Sequence, residues 1–258
     1  MSHNKIKLIV ADLDGTLSRS KTPLDSEMAA LLYKLLDYKD FAVISGGSYE
    51  QFQKQFVSSL KITPQKASHL YLFPTCATSM YVMKNNKWVK VYGRSLSKSQ
   101  KRKIIIAFNK ALAESGFKKP QKIYGDMIED RETQITFSAF GQLAPFEVKS
   151  EWDLNGKKRL KIIKYLAKHL PVGFGAKVGG TTSIDVTKKG IDKAYGIRKI
   201  EKVLGYKTKE MLFVGDMLQK GGNDYPVKTT GVKCIKVNGP EDTKETIRKI
   251  IAQSKPRH

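Results

Sequence analysis

Asp12 and Asp14 stand one residue apart in "VADLDGTL", directly after the apolar run Leu8-Ile9-Val10. In a parallel sheet, functional groups gather beyond the carboxyl ends of strands, so two carboxylates placed there are candidates for nucleophilic, acid-base or metal chemistry. Gly15 allows the sharp turn that such a placement needs. Ser45 follows the apolar "FAVI" in the same way, and Asp216 follows "MLFVG". Strand alternation would send Asp12 and Asp14 to one side. With Asp216 they would form a triad that repels itself unless a hard cation intervenes, and an oxygen-only donor set suits Mg2+. Alone, DxDGT also fits a calcium loop or a plain turn. Further on, "KKGIDKAYGIRK" places Gly190 and Lys193 before a helix, and "GDMLQKGGND" places Asn223 and Asp224 after Asp216. A lysine beside carboxylates lowers their net charge and can also bind phosphate.

These residues must be positioned by a frame. Residues 6–11, 41–44 and 70–73 read as short apolar strands, separated by helical spacing at Met28, Leu31, Leu32, Leu35 and Leu36 and at Phe52 and Phe56. Helix-start signals at Thr22-Pro23 and Asp25-Ser26 support the first of these helices. The result is βαβαβ, the pattern of a parallel sheet covered by helices. From about residue 80 the pattern changes. A hairpin turning at Asn85-Asn86, a helix near 99–115, alternation around Ile135 and Phe137 and a helix near 157–169 predict an inserted α+β domain over 81–185. The parallel pattern then resumes, so the core is expected to comprise 1–80 and 186–258, closing with strands at 211–216 and 232–237 and a helix near 242–252.

The 258 residues, 40% of them hydrophobic, can bury a substantial core. Apolar stretches run only a few residues, against the roughly 20 that span a bilayer, and no basic-then-apolar leader opens the chain. A cytoplasmic protein without a membrane partner is expected. Cys76 and Cys234 have neither metal nor redox spacing and are expected as buried thiols. The net charge of +23 favours an anionic partner. The lysines are spread along the chain without interleaved aromatics, which speaks against nucleic acid. The densest run, "SKSQKRK", reads as a solvated helix start, with a nucleic-acid patch or localisation signal as the alternative. A positive field can equally steer a small phosphorylated substrate.

Taken together and in this order, "DLDGTL", Ser45 of "SGGS", "KKGIDKAYGIRK" and "GDMLQKGGND" resemble the four motifs of the haloacid dehalogenase-like superfamily of phosphatases and phosphomutases. The resemblance implies a doubly wound, Rossmann-like α/β core with an inserted α+β cap. It also implies roles. Asp12 attacks phosphorus to form an aspartyl-phosphate, and Asp14 serves as general acid and then base. Ser45, with Gly46 beside it, binds the transferring phosphoryl group, and Lys193 neutralises it. Mg2+ is held by Asp12, the backbone carbonyl of Asp14 and Asp216, with Asn223 and Asp224 in support.

The second half is similar to the eukaryotic-type phosphomannomutase branch, through "VGGTTSIDVTKKGIDKAYGIRK", "FVGDMLQKGGNDYP" and "GPEDT". That likeness implies sugar or phosphate contacts from Ser183 and Asp185, and dimerisation through the caps. The branch grips the distal phosphate with cap arginines. Arg131 matches the first, whereas the next two fall at Gln142 and Lys149, and another arginine near the first motif falls at Lys21. Lysine does not reproduce the bidentate guanidinium grip, and glutamine is uncharged. Hydrolysis of a small sugar phosphate is therefore expected, with a hexose phosphate mutase as the alternative. A nucleic-acid-binding protein with an enzyme-like core is a third reading, supported only by the net charge.

Overall fold

The computed structural model describes residues 5–257. Its strands, in chain order, are β1 (Leu8–Ala11), β2 (Asp40–Ile44), β3 (Leu70–Phe73), β4 (Ser79–Lys84), β5 (Lys87–Gly93), β6 (Ile128–Asp130), β7 (Ile135–Ser138), β8 (Phe174–Gly179), β9 (Ser183–Lys188), β10 (Met211–Gly215) and β11 (Lys233–Lys236). They form two sheets, ordered β11-β10-β1-β2-β3-β4-β5 and β6-β7-β9-β8. The chain divides accordingly into one unit of residues 1–93 and 191–258 and a second of 94–190.

Alternation builds the first unit. Ile9, Ala11, Phe41, Val43, Leu70 and Leu72 face one layer, where Met28, Leu32 and Leu35 of the helix Ser26–Leu35 pack with Ile247, Ile250 and Ile251 of the helix Pro240–Ala252. Leu8, Val10, Ala42, Ile44 and Phe213 face the other, against Ile197 and Ile200 of the helix Lys193–Leu204. Both faces are covered, as near-continuous apolar strands require. The pairs β11-β10, β10-β1, β1-β2 and β2-β3 are parallel. The chain runs from β1 towards β3 on one side and returns to β10 on the other, so strand order reverses between β1 and β10. In α/β sheets the carboxyl ends of strands at such a reversal are the place where ligands bind.

The β4–β5 hairpin differs from expectation. It pairs antiparallel onto β3 and extends the core sheet, so the first unit runs to Gly93 and not to residue 80. Trp88 packs against this core and is not part of the inserted unit. At the other junction, β9 carries the second sheet to Lys188, so the boundary falls at Gly190 and not at residue 185. Cys76 and Cys234 are half-buried, against the expectation of buried thiols: Cys76 lies in the turn after β3, and Cys234 lies on β11, an edge strand of the sheet.

In the second unit the helices Lys98–Glu114 and Lys157–His169 cover one face of an antiparallel sheet. Ile104, Phe108, Ile162 and Leu166 pack on Ile135, Phe137, Ile184 and Val186. The intervening strand residues, Thr136, Ser138, Ser183 and Asp185, occupy the opposite face. Arg159 braces this sheet. Buried itself, it forms an ion pair with buried Asp153 at 2.8 Å and donates to the Gly179 carbonyl at 3.0 Å, just ahead of β9. No described helix is long and apolar enough to cross a membrane.

Candidate active site

β1 ends its parallel pairing at Ala11, and Asp12, 2% exposed, is the next residue. Its backbone N–H still donates to the Val214 carbonyl at 3.1 Å, which keeps it beside β10. The chain then turns through Gly15, whose φ of +84° suits glycine; a Cβ there would lie 2.5 Å from Asp216 Oδ2. Asp216 follows β10 and accepts a hydrogen bond from Thr16 Oγ1 at 3.2 Å. Asp224 is fully buried, and its Oδ2 accepts from the Met217 N–H at 3.0 Å.

Asp12, Asp216 and Asp224 offer oxygens within 4.8 Å of one another. Lys193, 2% exposed at the start of its helix, pairs with Asp12 Oδ1 at 2.8 Å and also contacts Asp224 Oδ1. One ammonium for three carboxylates leaves negative charge in a buried place. Burial raises the Asp12 carboxyl well above its ordinary range; Lys193 pulls it down, while Asp224 and Asp216 push it up. Burial and the Asp224 charge likewise raise Asp216. Burial alone would lower Lys193, but the Asp12 and Asp224 charges outweigh it and raise it. An all-oxygen donor set with charge still to neutralise fits a hard divalent cation.

The sign of these shifts gives an expected result. Carboxyls raised in the folded state contribute stability at acid pH that is lost as pH rises through their folded values. A divalent cation competes with those protons. Added MgCl2 should therefore raise the unfolding temperature more at about pH 8 than at about pH 5. Thermal melts at both values check this, and equal stabilisation would show that the cluster does not take the cation.

Asp14 does not join the cluster. Strand geometry has already ended, and its half-buried carboxylate turns to the Lys21 N–H at 2.6 Å and Gln55 Nε2 at 2.8 Å. The triad of carboxylates is thus completed by Asp224, in place of Asp14. Ser45 directly follows β2, which pairs with β1, and is 3% exposed; its Oγ accepts from the Gly47 N–H at 3.3 Å. Gly46 lies in this turn, which is clasped by the segment after β3: Thr75 N–H donates to the Gly47 carbonyl and Cys76 N–H to that of Ser45, each at 2.9 Å. Thr75, Cys76 and Ala77 hold positive φ values of 49°, 54° and 64° to do so, a strained conformation for residues with side chains. Asn223 is exposed beside buried Asp224.

The second unit gathers its own polar set. Opposed strand positions bond across the sheet, Thr136 Oγ1 donating to Asp185 Oδ1 at 2.7 Å and Ser138 Oγ lying 2.8 Å from Ser183 Oγ. Gln142 Nε2 donates to Ser138 Oγ at 2.9 Å, and Gln142 Oε1 accepts from Arg131 Nη2 at 3.0 Å. Arg131 Nε pairs with Glu129 at 2.8 Å. Lys149 is buried in the short helix Phe146–Ser150. The network thus brings together Arg131, Gln142 and Ser183, with Asp185 two residues along β9, and adds Glu129, Thr136 and Ser138. Alternation of polar with apolar residues in "ITFS" and "SIDV" is the signal that could have found Thr136 and Ser138; nothing in the sequence singles out Glu129.

The family model described as eukaryotic phosphomannomutase matches residues 28–253. The phosphomannomutase of Saccharomyces cerevisiae is 26% identical over 253 residues, covering 95% of this chain and 94% of that protein. Human phosphomannomutase 1 is 26% identical over 259 residues, covering 95% and 92%. Among solved structures, an N-terminally truncated IMP-nucleotidase of Plasmodium falciparum superposes with a TM-score of 0.70 at 19% identity, over 96% of this chain and 71% of that one. A haloacid dehalogenase-like hydrolase from Bacteroides thetaiotaomicron gives 0.62 at 13% identity, over 95% and 99%. These two likenesses bear on the fold alone.

Proposed function

Because this chain belongs to the eukaryotic phosphomannomutase family, and so to the haloacid dehalogenase-like enzymes, we propose that it is an Mg2+-dependent phosphatase of a small sugar phosphate, working through an aspartyl-phosphate. Asp12 attacks phosphorus, and the ester P–O bond breaks as Asp14 gives a proton to the departing oxygen. Asp14 then takes a proton from a water that attacks the aspartyl-phosphate, releasing phosphate and restoring Asp12. Ser45 and the Gly46 backbone hold the phosphoryl oxygens. Lys193 neutralises charge there and keeps Asp12 in place. Asp12, Asp216 and Asp224, helped by the Asp14 carbonyl and Asn223, would hold Mg2+, which when bound supplies neutralisation of the phosphoryl charge. Arg131, Ser183 and Asp185 select the sugar.

The observation that carries hydrolysis over transfer is the state of Arg131. Its guanidinium is held by Glu129 and by Gln142 Oε1, and positions 142 and 149 carry no second guanidinium. A weak hold on the distal phosphate lets a bisphosphorylated intermediate escape and leaves the aspartyl-phosphate to water. The second reading is a hexose phosphate mutase, and the names of the full-length relatives favour it. Incubation with hexose 1- and 6-phosphates and Mg2+ separates the two. Free phosphate without isomerisation is expected; 1-to-6 interconversion without free phosphate would replace the phosphatase by the mutase. The pair Gln142→Arg and Lys149→Arg, introduced together, should shift the product ratio towards isomerisation by about tenfold, since each bidentate charge-assisted contact is worth on the order of 1–3 kcal/mol. An unchanged ratio would remove the arginine deficit as the cause.

A further inference from the structure

Two backbone irregularities of the first unit converge on Asp14. Lys21 adopts φ +58°, a left-handed conformation rare for a residue with a side chain, and its N–H donates to Asp14 Oδ1 at 2.6 Å. The helix that begins at Tyr49 widens into a π-helical turn over Gln53–Val57, a departure found mostly at functional sites. The wider turn sets Gln55 inward between Phe52 and Phe56, at 6% exposed. Its Nε2 donates to the same Asp14 Oδ1 at 2.8 Å and to Ser18 Oγ at 3.1 Å, while its backbone carbonyl accepts from the Leu24 N–H at 3.0 Å. One buried residue thus ties the whole loop from Asp14 to Leu24 to a helix that the sheet holds in place.

We infer that Gln55 is a positioning residue for proton transfer, fixing the Asp14 carboxyl so that Oδ2 is the oxygen that gives and takes the proton. The inference rests on the acid-base role proposed above for Asp14. Oδ1 already accepts two hydrogen bonds, and a third proton bound there would clash with both donors. Among the described residues no hydrogen bond reaches Oδ2. With Oδ1 anchored at both donors, rotation of the carboxyl group is suppressed, and the working oxygen keeps one direction through both half-reactions. The amide suits this task because it donates without titrating. A purely structural role would be to satisfy a buried amide, and that role does not depend on which phosphate ester is cleaved.

The leaving group therefore tests it. A hexose phosphate releases an alkoxide that must be protonated, whereas 4-nitrophenyl phosphate releases a phenolate that departs without help. The quotient kcat/KM reports transfer to Asp12, before water attacks. Gln55→Ala, and Gln55→Glu, which keeps the shape and removes the donor, should each lower kcat/KM on the hexose phosphate by about 30-fold, within the range of general acid catalysis. On the aryl phosphate the loss should stay below about threefold. In contrast kcat should fall on both esters where the second half-reaction limits it, because Asp14 then activates the same water. Equal losses in kcat/KM on the two esters, or no loss on either, would overturn the inference. Activity of the variants on the aryl phosphate shows that fold and nucleophile are intact. A native protein inert towards every phosphate ester would instead remove the functional reading, and the positioning role with it.

Discussion

Asp12→Asn should abolish phosphate release, by about 10^4-fold or more, while leaving the metal-free protein at least as stable as the native chain. The two halves of this result come from one geometry. Asp12 sits at the carboxyl end of the central strand, beside the reversal of strand order, and lacks a substitute: the nearby Asp216 and Asp224 are held by Thr16 and by Lys193 and the Met217 N–H. Asparagine keeps the shape and removes the proposed nucleophile. It also removes one of three crowded carboxylates, whose repulsion and burial already push Asp12 towards its neutral form. A phosphate-release assay with thermal melts measures both. Retained activity would sink the nucleophile assignment, and a large drop in melting temperature would show that the ion pair with Lys193 outweighs the crowding.

Lys193→Ala should act in the opposite way, lowering stability by about 3–5 kcal/mol in metal-free buffer, because it strands Asp12 and Asp224 in a buried site without their cation. Activity should fall as well, since in the proposed mechanism Lys193 neutralises the phosphoryl group and holds Asp12 in place. Added Mg2+ should recover part of the stability by taking over the same charge. Urea denaturation with and without Mg2+ reads this out. A loss below about 1 kcal/mol in both conditions would mean that the buried carboxylates are satisfied without the lysine.

The core was legible because its strands are short apolar runs buried on both faces, and such runs stand out against lysine-rich helices. Asp25 caps its helix by accepting from the Met28 N–H at 2.8 Å, as its position before the apolar periodicity suggested. What sequence alone could not show was pairing. The hairpin at 79–93 alternates like any two-stranded ribbon, and only hydrogen bonding to Leu72 and Tyr71 assigns it to the core sheet. In β8, "FGAKVG" has two glycines and a lysine and lacks a strand's bulk, so its place comes from six-residue pairing with β9.

Within the site, residues placed by strand ends were readable and those placed by irregular backbone were not. Asp12, Ser45 and Asp216 each follow an apolar run directly. The regular alternation invoked for Asp14 stops at Ala11, so its side chain goes elsewhere. Gln55, in "QFQKQF", has the look of a solvated helix face, and one extra residue in the turn is enough to bring it inside. The left-handed run at Thr75–Ala77 had no glycine to announce it.

The most direct measurement is a rapid acid quench of the native protein with labelled sugar phosphate and Mg2+, followed by mapping of the label onto peptides. A phosphoryl group on the peptide containing Asp12, released by hydroxylamine and absent from Asp12→Asn, is the expected result. Turnover of the substrate in a single cycle with no label on the protein would contradict covalent phosphoryl transfer through Asp12.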